Sequence, residues 1–176
     1  EGILGSSKFW LLVTAILADS LRCWGRILLG GRRVAVREAP FVFENPNALP
    51  RAWRASRGEA QPADSQAALA RLVDPLFDLR TTVLLDPLPT EVATWSAAGE
   101  ADAETRLERD EPEHVAIRTR GANPAVLVLN DALYPGWEAT LDGVATPLLR
   151  ANTAFRAVLV PEGEHVVEMR YRARSF

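Results

Sequence analysis

A chain of 176 residues, 48% of them hydrophobic, is long enough for one domain with a sizeable core. With 20 basic against 23 acidic side chains, the net charge of −3 argues against a protein that binds nucleic acid or anionic lipid through bulk positive charge. A single cysteine, Cys23, excludes an internal disulfide, and two histidines, His114 and His165, are too few for a zinc cluster. Since no glycine-rich phosphate loop is present either, neither a metal nor another cofactor is predicted.

The first 33 residues are predicted to form a helical segment that packs on the domain. Good helix formers run without proline from Lys8 to Leu29, and Gly30-Gly31 supplies a helix stop. The most apolar stretch, Phe9 to Ala18, is too short for a membrane span, which needs about 20 apolar residues. No clean cleavage site follows it, which argues against a signal peptide.

Residues 34–176 are predicted to form the main domain, which begins with short strands. β-Branched and aromatic residues cluster between turn formers at Val34, Val36 and Phe41–Phe43, a pattern typical of strands. Ala52–Ala55 is interpreted as a further strand. The polar and small residues from Ser56 to Ala63 predict a loop.

One helix is predicted near residues 65–74, with Asp64 or Ser65 as its N-cap and Pro75 closing it. Its apolar residues recur at helical spacing and form a helical stripe: Ala68, Leu69, Leu72, Val73 and Leu76. A strand is predicted at Thr81–Leu85. Small and acidic residues with prolines and a glycine then indicate an exposed linker near residues 86–103.

From Glu104 onward the sequence alternates short apolar runs with turn signals, as in an antiparallel sandwich. The seven predicted strands are Thr105–Arg109, Val115–Arg120, Ala125–Leu129, Trp137–Leu141, Thr146–Leu149, Phe155–Val160 and Val166–Arg172. Asp142-Gly143 predicts a type I′ hairpin turn, since both residues tolerate positive φ. The predicted fold class is therefore mainly β (α+β): an antiparallel β-sandwich, jelly-roll or immunoglobulin-like, with two or three helices from the N-terminal half.

Several motifs occur in a fixed order along this domain: FVFENPNALPRAW, then LNDALYPGWEATLDG, then LLRANTAFRAVLVPEGEHVVEMRYRARSF. Together they resemble the C-terminal extracytoplasmic region of YfhO-type bacterial membrane proteins. The resemblance covers residues from about Val34 to Phe176. That family is similar to polytopic glycosyltransferases of the GT-C type, which use lipid-linked sugars and carry a soluble domain outside the cytoplasm.

The resemblance implies a non-catalytic accessory domain on the extracytoplasmic side of a bacterial cell membrane. Such a domain would orient a glycan acceptor or stabilise the membrane core, while catalysis would belong to membrane helices of the parent glycosyltransferase. Its implied partners are the transmembrane region of its own parent chain and a cell-envelope glycan or lipid-linked sugar, with no nucleic acid. Two alternatives stay open: a structural or adhesive sandwich that contacts protein without binding sugar, and a glycan hydrolase.

The YPGW motif supplies two aromatic candidates for ligand binding, Tyr134 and Trp137. Aromatic faces offer a large contact area to a sugar ring at little entropic cost. The alternative is that Trp137 fills the core of the sandwich and Tyr134 anchors its corner. Of the two side chains, Tyr134 is expected to be the more exposed.

Basic and amide side chains supply the other candidates. Arg150, Asn152 and Arg156 lie near one turn and offer donors for a phosphate or a glycan hydroxyl. They would equally hold the loop through backbone carbonyls, and Asn152 occupies a turn position that favours positive φ. Arg51 and Trp53, in the ALPRAW motif, either face the membrane domain or pack at a strand start.

No catalytic residues are predicted. A glycosidase needs two carboxyl groups roughly 5 to 9.5 Å apart across a cleft. The acidic side chains of the sandwich are instead assigned to turns and to outward faces of strands: Glu138, Asp142, Glu162, Glu164 and Glu168.

Overall fold

The computed structural model describes residues 32–34, 42–46, 48–93, 95 and 103–173 and divides the chain into two compact units, Glu1–Ala48 and Leu49–Phe176. In the first unit, the described residues form an antiparallel pair of strands, β1 (Arg32–Val34) and β2 (Val42–Glu44). The strands predicted at Val34 and around Phe41–Phe43 are thus confirmed, and Val36, named with them, lies outside the described residues. The helices predicted before residue 30 and Cys23 lie outside the described residues.

The second unit is built mainly of strands. Its described strands are β3 (Ala52–Ala55), β4 (Arg57–Ala60), β5 (Thr82–Asp86), β6 (Glu104–Glu111), β7 (His114–Gly121), β8 (Ala125–Ala132), β9 (Trp137–Leu141), β10 (Val144–Thr146), β11 (Leu149–Ala151), β12 (Phe155–Val160) and β13 (Gly163–Tyr171). Two helices accompany them, α1 (Ser65–Leu72) and α2 (Thr90–Ala93). The predicted mainly β fold with helices from the N-terminal half is confirmed.

The strands form two sheets that pack as a sandwich, as predicted. The five-stranded sheet has the order β10-β9-β13-β7-β6, and all its pairs are antiparallel. The six-stranded sheet has the order β3-β8-β12-β11-β5-β4, with one parallel pair, β4 and β5. The hairpin turn between β9 and β10 has φ 50° at Asp142 and 81° at Gly143, which confirms the predicted positive φ values.

Two hydrophobic clusters cover the two faces of the six-stranded sheet. The first lies between the sheets and includes Leu127 and Leu129 of β8 together with Val167 and Met169 of β13. The second lies on the outer face, where Val126 and Val128 of β8 pack with α2 and its neighbours. β8 is therefore buried on both faces, as expected for a central strand.

One predicted strand, Thr146–Leu149, is wrong. β10 ends at Thr146 in the five-stranded sheet, and β11 begins at Leu149 in the six-stranded sheet. Pro147 lies between them and has no backbone N–H to donate to a ladder. The apolar run that looked like one strand is thus the crossing from one sheet to the other.

The loop predicted from Ser56 to Ala63 contains a strand, β4, which pairs with β5 through backbone hydrogen bonds. The small and polar residues of β4 are typical of a loop, but Gly58 is required here because Val92 packs closely against it. A Cβ atom added to Gly58 would lie 2.4 Å from Cγ1 of Val92 in α2. The glycine that suggests a loop in the sequence is therefore a packing requirement of a strand.

Helix α1 confirms the predicted helix near residues 65–74 and its N-cap, because Oδ2 of Asp64 accepts a 2.7 Å hydrogen bond from the N–H of Ala67. The apolar stripe predicted from the helical spacing is buried only in part. Ala68 is 1% exposed, but Leu69, Val73 and Leu76 are 55%, 78% and 90% exposed. The stripe therefore contributes mainly Ala68 to the packed interior.

The described part of the predicted linker contains α2, and its Val92 is 3% exposed within the second hydrophobic cluster. Trp95 packs against the same cluster. Among the helices that the structure describes, none is long and apolar enough to cross a membrane.

Candidate ligand-binding site

Three aromatic rings meet where the YPGW turn contacts the end of β13. We name this group, Tyr134, Trp137 and Tyr171, the aromatic corner. Its ring centroids lie 6.0 Å apart for Tyr134–Trp137, 5.5 Å for Tyr134–Tyr171 and 5.7 Å for Trp137–Tyr171. Trp137 is 8% exposed and belongs to the first hydrophobic cluster, whereas Tyr134 is 48% exposed. Tyr134 is thus the more exposed of the two side chains, as expected.

The backbone of the YPGW turn is fixed against β13. Gly136 has φ 106°, and a Cβ atom there would lie 2.5 Å from Cε2 of Tyr171 and 3.0 Å from the carbonyl oxygen of Arg172. The carbonyl of Gly136 accepts a 2.7 Å hydrogen bond from the N–H of Arg172. The turn can approach Tyr171 this closely only with glycine at this position.

A buried arginine lies directly behind the corner. Arg156 is 3% exposed, and its guanidinium carbon lies 3.7 Å from the centroid of the Trp137 ring, a cation–π contact. Its Nη2 donates a 2.9 Å hydrogen bond to Oδ2 of Asp131. Burial lowers the pKa of Arg156, and Asp131 opposes that effect by favouring the charged form.

Asp131 is shared between two arginines. Arg51 donates from Nε to Oδ1 of Asp131 at 3.1 Å and from Nη2 to Oδ2 at 2.8 Å, a forked pair. Arg51 also pairs with Asp110. The hydrogen bond with Asp131 has the largest effect on the pKa of Arg51, followed by that with Asp110, and both raise this pKa above its usual value. Two arginines and two aspartates thus form one ion-paired group that contacts the aromatic corner through Arg156.

Two buried donors in this region have no hydrogen-bond partner among the described residues. They are Nε1 of Trp137 and Nη1 of Arg156, and they belong to the two side chains that stack on each other. A buried donor left without a partner costs roughly 1 to 3 kcal/mol, so each such group requires an explanation. A polar ligand atom would satisfy donors of this kind.

Arg150 lies beside Arg156, because the two residues are register partners on β11 and β12. Its other register partner is Asp86 on β5, with Nη1 of Arg150 3.8 Å from Oδ2 of Asp86. The charged side chains Asp86, Arg150, Arg156 and Asp131 are thereby brought into one neighbourhood. Aspartates flank the two like-charged arginines, which offsets their repulsion.

Asn152 has a structural position in the turn between β11 and β12. Its φ is 45°, in agreement with the positive φ expected for this turn position. Its Oδ1 accepts a 2.9 Å hydrogen bond from the N–H of Leu84, and its own N–H donates to the carbonyl of Leu84 at 2.9 Å. At 7% exposure, Asn152 holds the turn against β5.

Trp53 lies apart from the corner. It is 5% exposed and belongs to the second hydrophobic cluster, on the opposite face of the sheet from Arg156. Its Nε1 donates a 3.2 Å hydrogen bond to Oδ1 of Asn130. Of the seven candidates, the structure therefore brings together Tyr134, Trp137, Arg156 and Arg51, with Arg150 adjacent.

The sequence-based candidates omitted Asp131, Asp110 and Tyr171. Asp131 is separated from Arg51 by 80 residues, so no local sequence pattern predicts their contact. The one available signal is that Asn130-Asp131 ends the apolar run of β8, which places polar side chains at a strand end. Loops at strand ends carry a disproportionate share of binding residues, so polar side chains at the end of a buried strand are a functional signal.

The acidic side chains considered for glycosidic chemistry lie among basic ones. Asp142 pairs with His165, Glu138 with Arg172, Glu164 with Arg118, and Glu168 with Arg170, as ion pairs at 2.7 to 3.3 Å. Among the residues that the structure describes, no three histidine, cysteine, aspartate or glutamate side chains group as metal ligands.

The fold and these contacts define a β-sandwich domain with a candidate ligand-binding corner. No protein-family model matches the chain, and neither a curated protein nor a solved structure matches it.

Proposed function

We propose that this chain is the non-catalytic extracytoplasmic accessory domain of a polytopic bacterial membrane protein related to lipid-linked-sugar glycosyltransferases. In this proposal the aromatic corner holds a glycan acceptor, while membrane helices of the parent chain carry out the transfer. The support is the resemblance of the ALPRAW and YPGW motifs to YfhO-type proteins. Tyr134 of YPGW belongs to the corner, and Arg51 of ALPRAW is joined to it through Asp131 and Arg156. The partners would be the transmembrane region of the parent chain and a cell-envelope glycan or lipid-linked sugar.

The observation that carries the glycan-binding proposal is the half-exposed ring of Tyr134 beside two buried donors without partners. The ring offers a face on which a pyranose would stack. The Arg51–Asp131–Asp110 group, part of which is exposed, offers charged donors and acceptors for hydroxyl groups. In this proposal Nη1 of Arg156 and Nε1 of Trp137 would each gain a ligand hydroxyl oxygen as a hydrogen-bond partner.

A structural or adhesive function is the second candidate, and one observation favours it. Leu69, Val73 and Leu76 expose apolar side chains along and just after α1, a face suited to contact with protein. Under this alternative the aromatic corner would have only a packing role. The hydrolase alternative is not proposed, because the acidic side chains considered for it are mostly paired with basic ones.

Ligand-observed NMR of the purified domain against cell-wall glycans and polyprenyl phosphosugars tests the proposal. We expect saturation transfer to at least one glycan, and loss of that transfer in Tyr134→Ala. Leu76→Ala is the matched control, because it removes another exposed apolar side chain outside the corner and should leave the transfer unchanged. The absence of transfer to every ligand, from a domain shown to be folded, would overturn the glycan-binding proposal and favour the interaction domain.

A further inference from the structure

A separate cavity of about 370 Å³ lies where the β11–β12 turn faces the segment before α1. This volume is in the range of pockets that hold small molecules. We name it the Arg150 cavity. Its lining is mostly polar and consists of Gln61, Pro62, Ala63, Ser65, Asp86, Arg150 and Thr153.

The wall of the Arg150 cavity is held in place by specific hydrogen bonds. Thr153 donates its N–H to Oε1 of Gln61 at 2.7 Å, which joins the turn to the opposite wall. Asn152 fixes the same turn to Leu84 through two 2.9 Å hydrogen bonds. The bonds hold Thr153 at φ 73°, a conformation that β-branched residues rarely adopt. The backbone of Thr153 and the amide group of Gln61 therefore have defined positions at the cavity wall.

The charged pair at the cavity is loosely engaged. Nη1 of Arg150 lies 3.8 Å from Oδ2 of Asp86, which is beyond hydrogen-bonding distance, and the side chains are 50% and 55% exposed. No described residue accepts a hydrogen bond from the Arg150 guanidinium, whereas its neighbour Arg156 is bonded to Asp131. Arg150 thus presents its fork of N–H donors to the cavity, and Asp86 presents an acceptor beside it.

We propose that the Arg150 cavity binds a small hydroxylated anion, namely a monosaccharide that carries a phosphate or a carboxylate. The anionic group would lie on the Arg150 guanidinium, which forms paired hydrogen bonds with either kind of oxyanion. Asp86 would accept a sugar hydroxyl, and the polar groups of Gln61, Ser65 and Thr153 would contact the others. This proposal does not depend on glycan binding at the aromatic corner.

The presence of Asp86 distinguishes this ligand from a bare anion. The carboxylate of Asp86 beside the guanidinium repels any bound anion. A sugar anion offsets this repulsion by donating a hydroxyl hydrogen bond to Asp86, so inorganic phosphate should bind less well than the sugar anion. An uncharged sugar would engage Asp86 but would gain little from the forked donors of Arg150. Both the anionic group and the hydroxyls are therefore required for full affinity.

Titrations of the ¹⁵N-labelled protein monitored by two-dimensional NMR test the proposal, with α-glucosyl phosphate, glucuronate, glucose and inorganic phosphate as probes. We expect α-glucosyl phosphate or glucuronate to shift the amide signals of Gln61, Ser65 and Thr153, with weaker effects from glucose and phosphate. Arg150→Gln should weaken binding of the anionic sugar by about tenfold. Arg172→Gln is the matched control, since Arg172 is 71% exposed outside the cavity, and it should leave the affinity unchanged.

Asp86→Asn separates the two parts of the proposal. It should strengthen binding of inorganic phosphate relative to the hydroxylated anion, because both ligands lose the repulsion while only the sugar loses a charged acceptor for its hydroxyl. The proposal is overturned if no probe shifts the amide signals of Gln61, Ser65 and Thr153 at probe concentrations up to about 10 mM, because a dissociation constant above this value is too weak for a specific site. The proposal is equally overturned if the Arg150→Gln protein binds the anionic sugar as tightly as the Arg172→Gln protein does. It is also overturned if inorganic phosphate binds as tightly as the sugar anions.

Discussion

The imidazole of His165 links two turns of the sandwich: its Nδ1 lies 2.7 Å from Oδ2 of Asp142, and its Nε2 lies 3.0 Å from the carbonyl oxygen of Glu162. Both partners are acceptors, so only the doubly protonated ring donates to both. The hydrogen bond with Asp142, followed by that with Glu162, raises the pKa of His165, while burial and, less strongly, the positive charge of Arg54 oppose this shift. The hydrogen bond from His165 lowers the pKa of Asp142 in turn.

This linkage predicts a pH-dependent contribution to stability. Because the folded pKa of His165 is raised, its contribution is complete below its unfolded pKa of about 6.5 and is lost as the pH rises through the folded value. We expect His165→Gln to destabilise the protein by about 1 kcal/mol near pH 5.5, allowing for solvent screening, and by less near pH 8.5. Urea unfolding of both proteins at these pH values measures the difference. A destabilisation that does not change with pH would contradict the charged linkage.

Gly136 and Gly143 provide a matched pair of positive-φ glycines. Gly136→Ala should cost about 3 kcal/mol of unfolding free energy, because backbone strain adds to the clash with Tyr171. Gly143→Ala should cost about 1 kcal/mol, since no atom lies within 4 Å of its added Cβ and only the strain remains. Chemical denaturation of the two variants tests this difference, and equal destabilisation would contradict the close contact at Tyr171.

Removal of the shared carboxylate Asp131 should expose the cost of the buried Arg156 charge. Asp131→Asn is expected to destabilise the protein by about 2 to 3 kcal/mol, because Arg156 loses its carboxylate while its side chain is 4% exposed. Asp110→Asn is the control: the Asp110 side chain is 52% exposed and should cost less than about 0.5 kcal/mol. Adding Arg156→Met to Asp131→Asn should recover part of the lost stability, as measured by thermal unfolding.

We expect opposite outcomes for substitutions at Ala68, within α1, and at Leu76, just after it. Leu76→Ser should change the unfolding free energy by less than about 0.5 kcal/mol, because Leu76 is 90% exposed. Ala68→Leu should destabilise by roughly 1 to 3 kcal/mol, because Ala68 is 1% exposed and has no room for a larger side chain. A larger loss of unfolding free energy for Leu76→Ser than for Ala68→Leu, measured by chemical denaturation, would contradict the exposure of Leu76 and the burial of Ala68.

The sequence predicted strands well where alternation or a continuous apolar run met a clear turn. The Asp142-Gly143 hairpin and the doubly buried β8 are examples, since local residue types suffice to define them. It failed where tertiary packing overrode local composition. Gly58 indicated a loop, although it lies in a strand that must admit Val92, and the run around Pro147 concealed a change of sheet.

The candidate site was predicted in part for a similar reason. Tyr134, Trp137 and Arg156 stand out as residue types suited to binding, and the fold brings them together. Asp131 was missed because its importance arises only from contacts with Arg51, 80 residues away, and with Arg156. Residue type can be evaluated from the sequence, whereas ion pairing across a sandwich depends on the register of distant strands.

The two-sided burial of β8 has a consequence for strand alignment. Its odd-numbered and even-numbered side chains fill different clusters, yet both rows are aliphatic. A slip by one residue would exchange leucines for valines without bringing a charge inside, so hydrophobicity alone is a weak guide to pairing. The polar residues that end this strand provide the missing guide. Asn130 accepts a hydrogen bond from Trp53 of β3 and donates one to the carbonyl of Pro50. Asp131 accepts hydrogen bonds from Arg51, which precedes β3, and from Arg156 of β12, so the two residues together fix β8 against both of its neighbours.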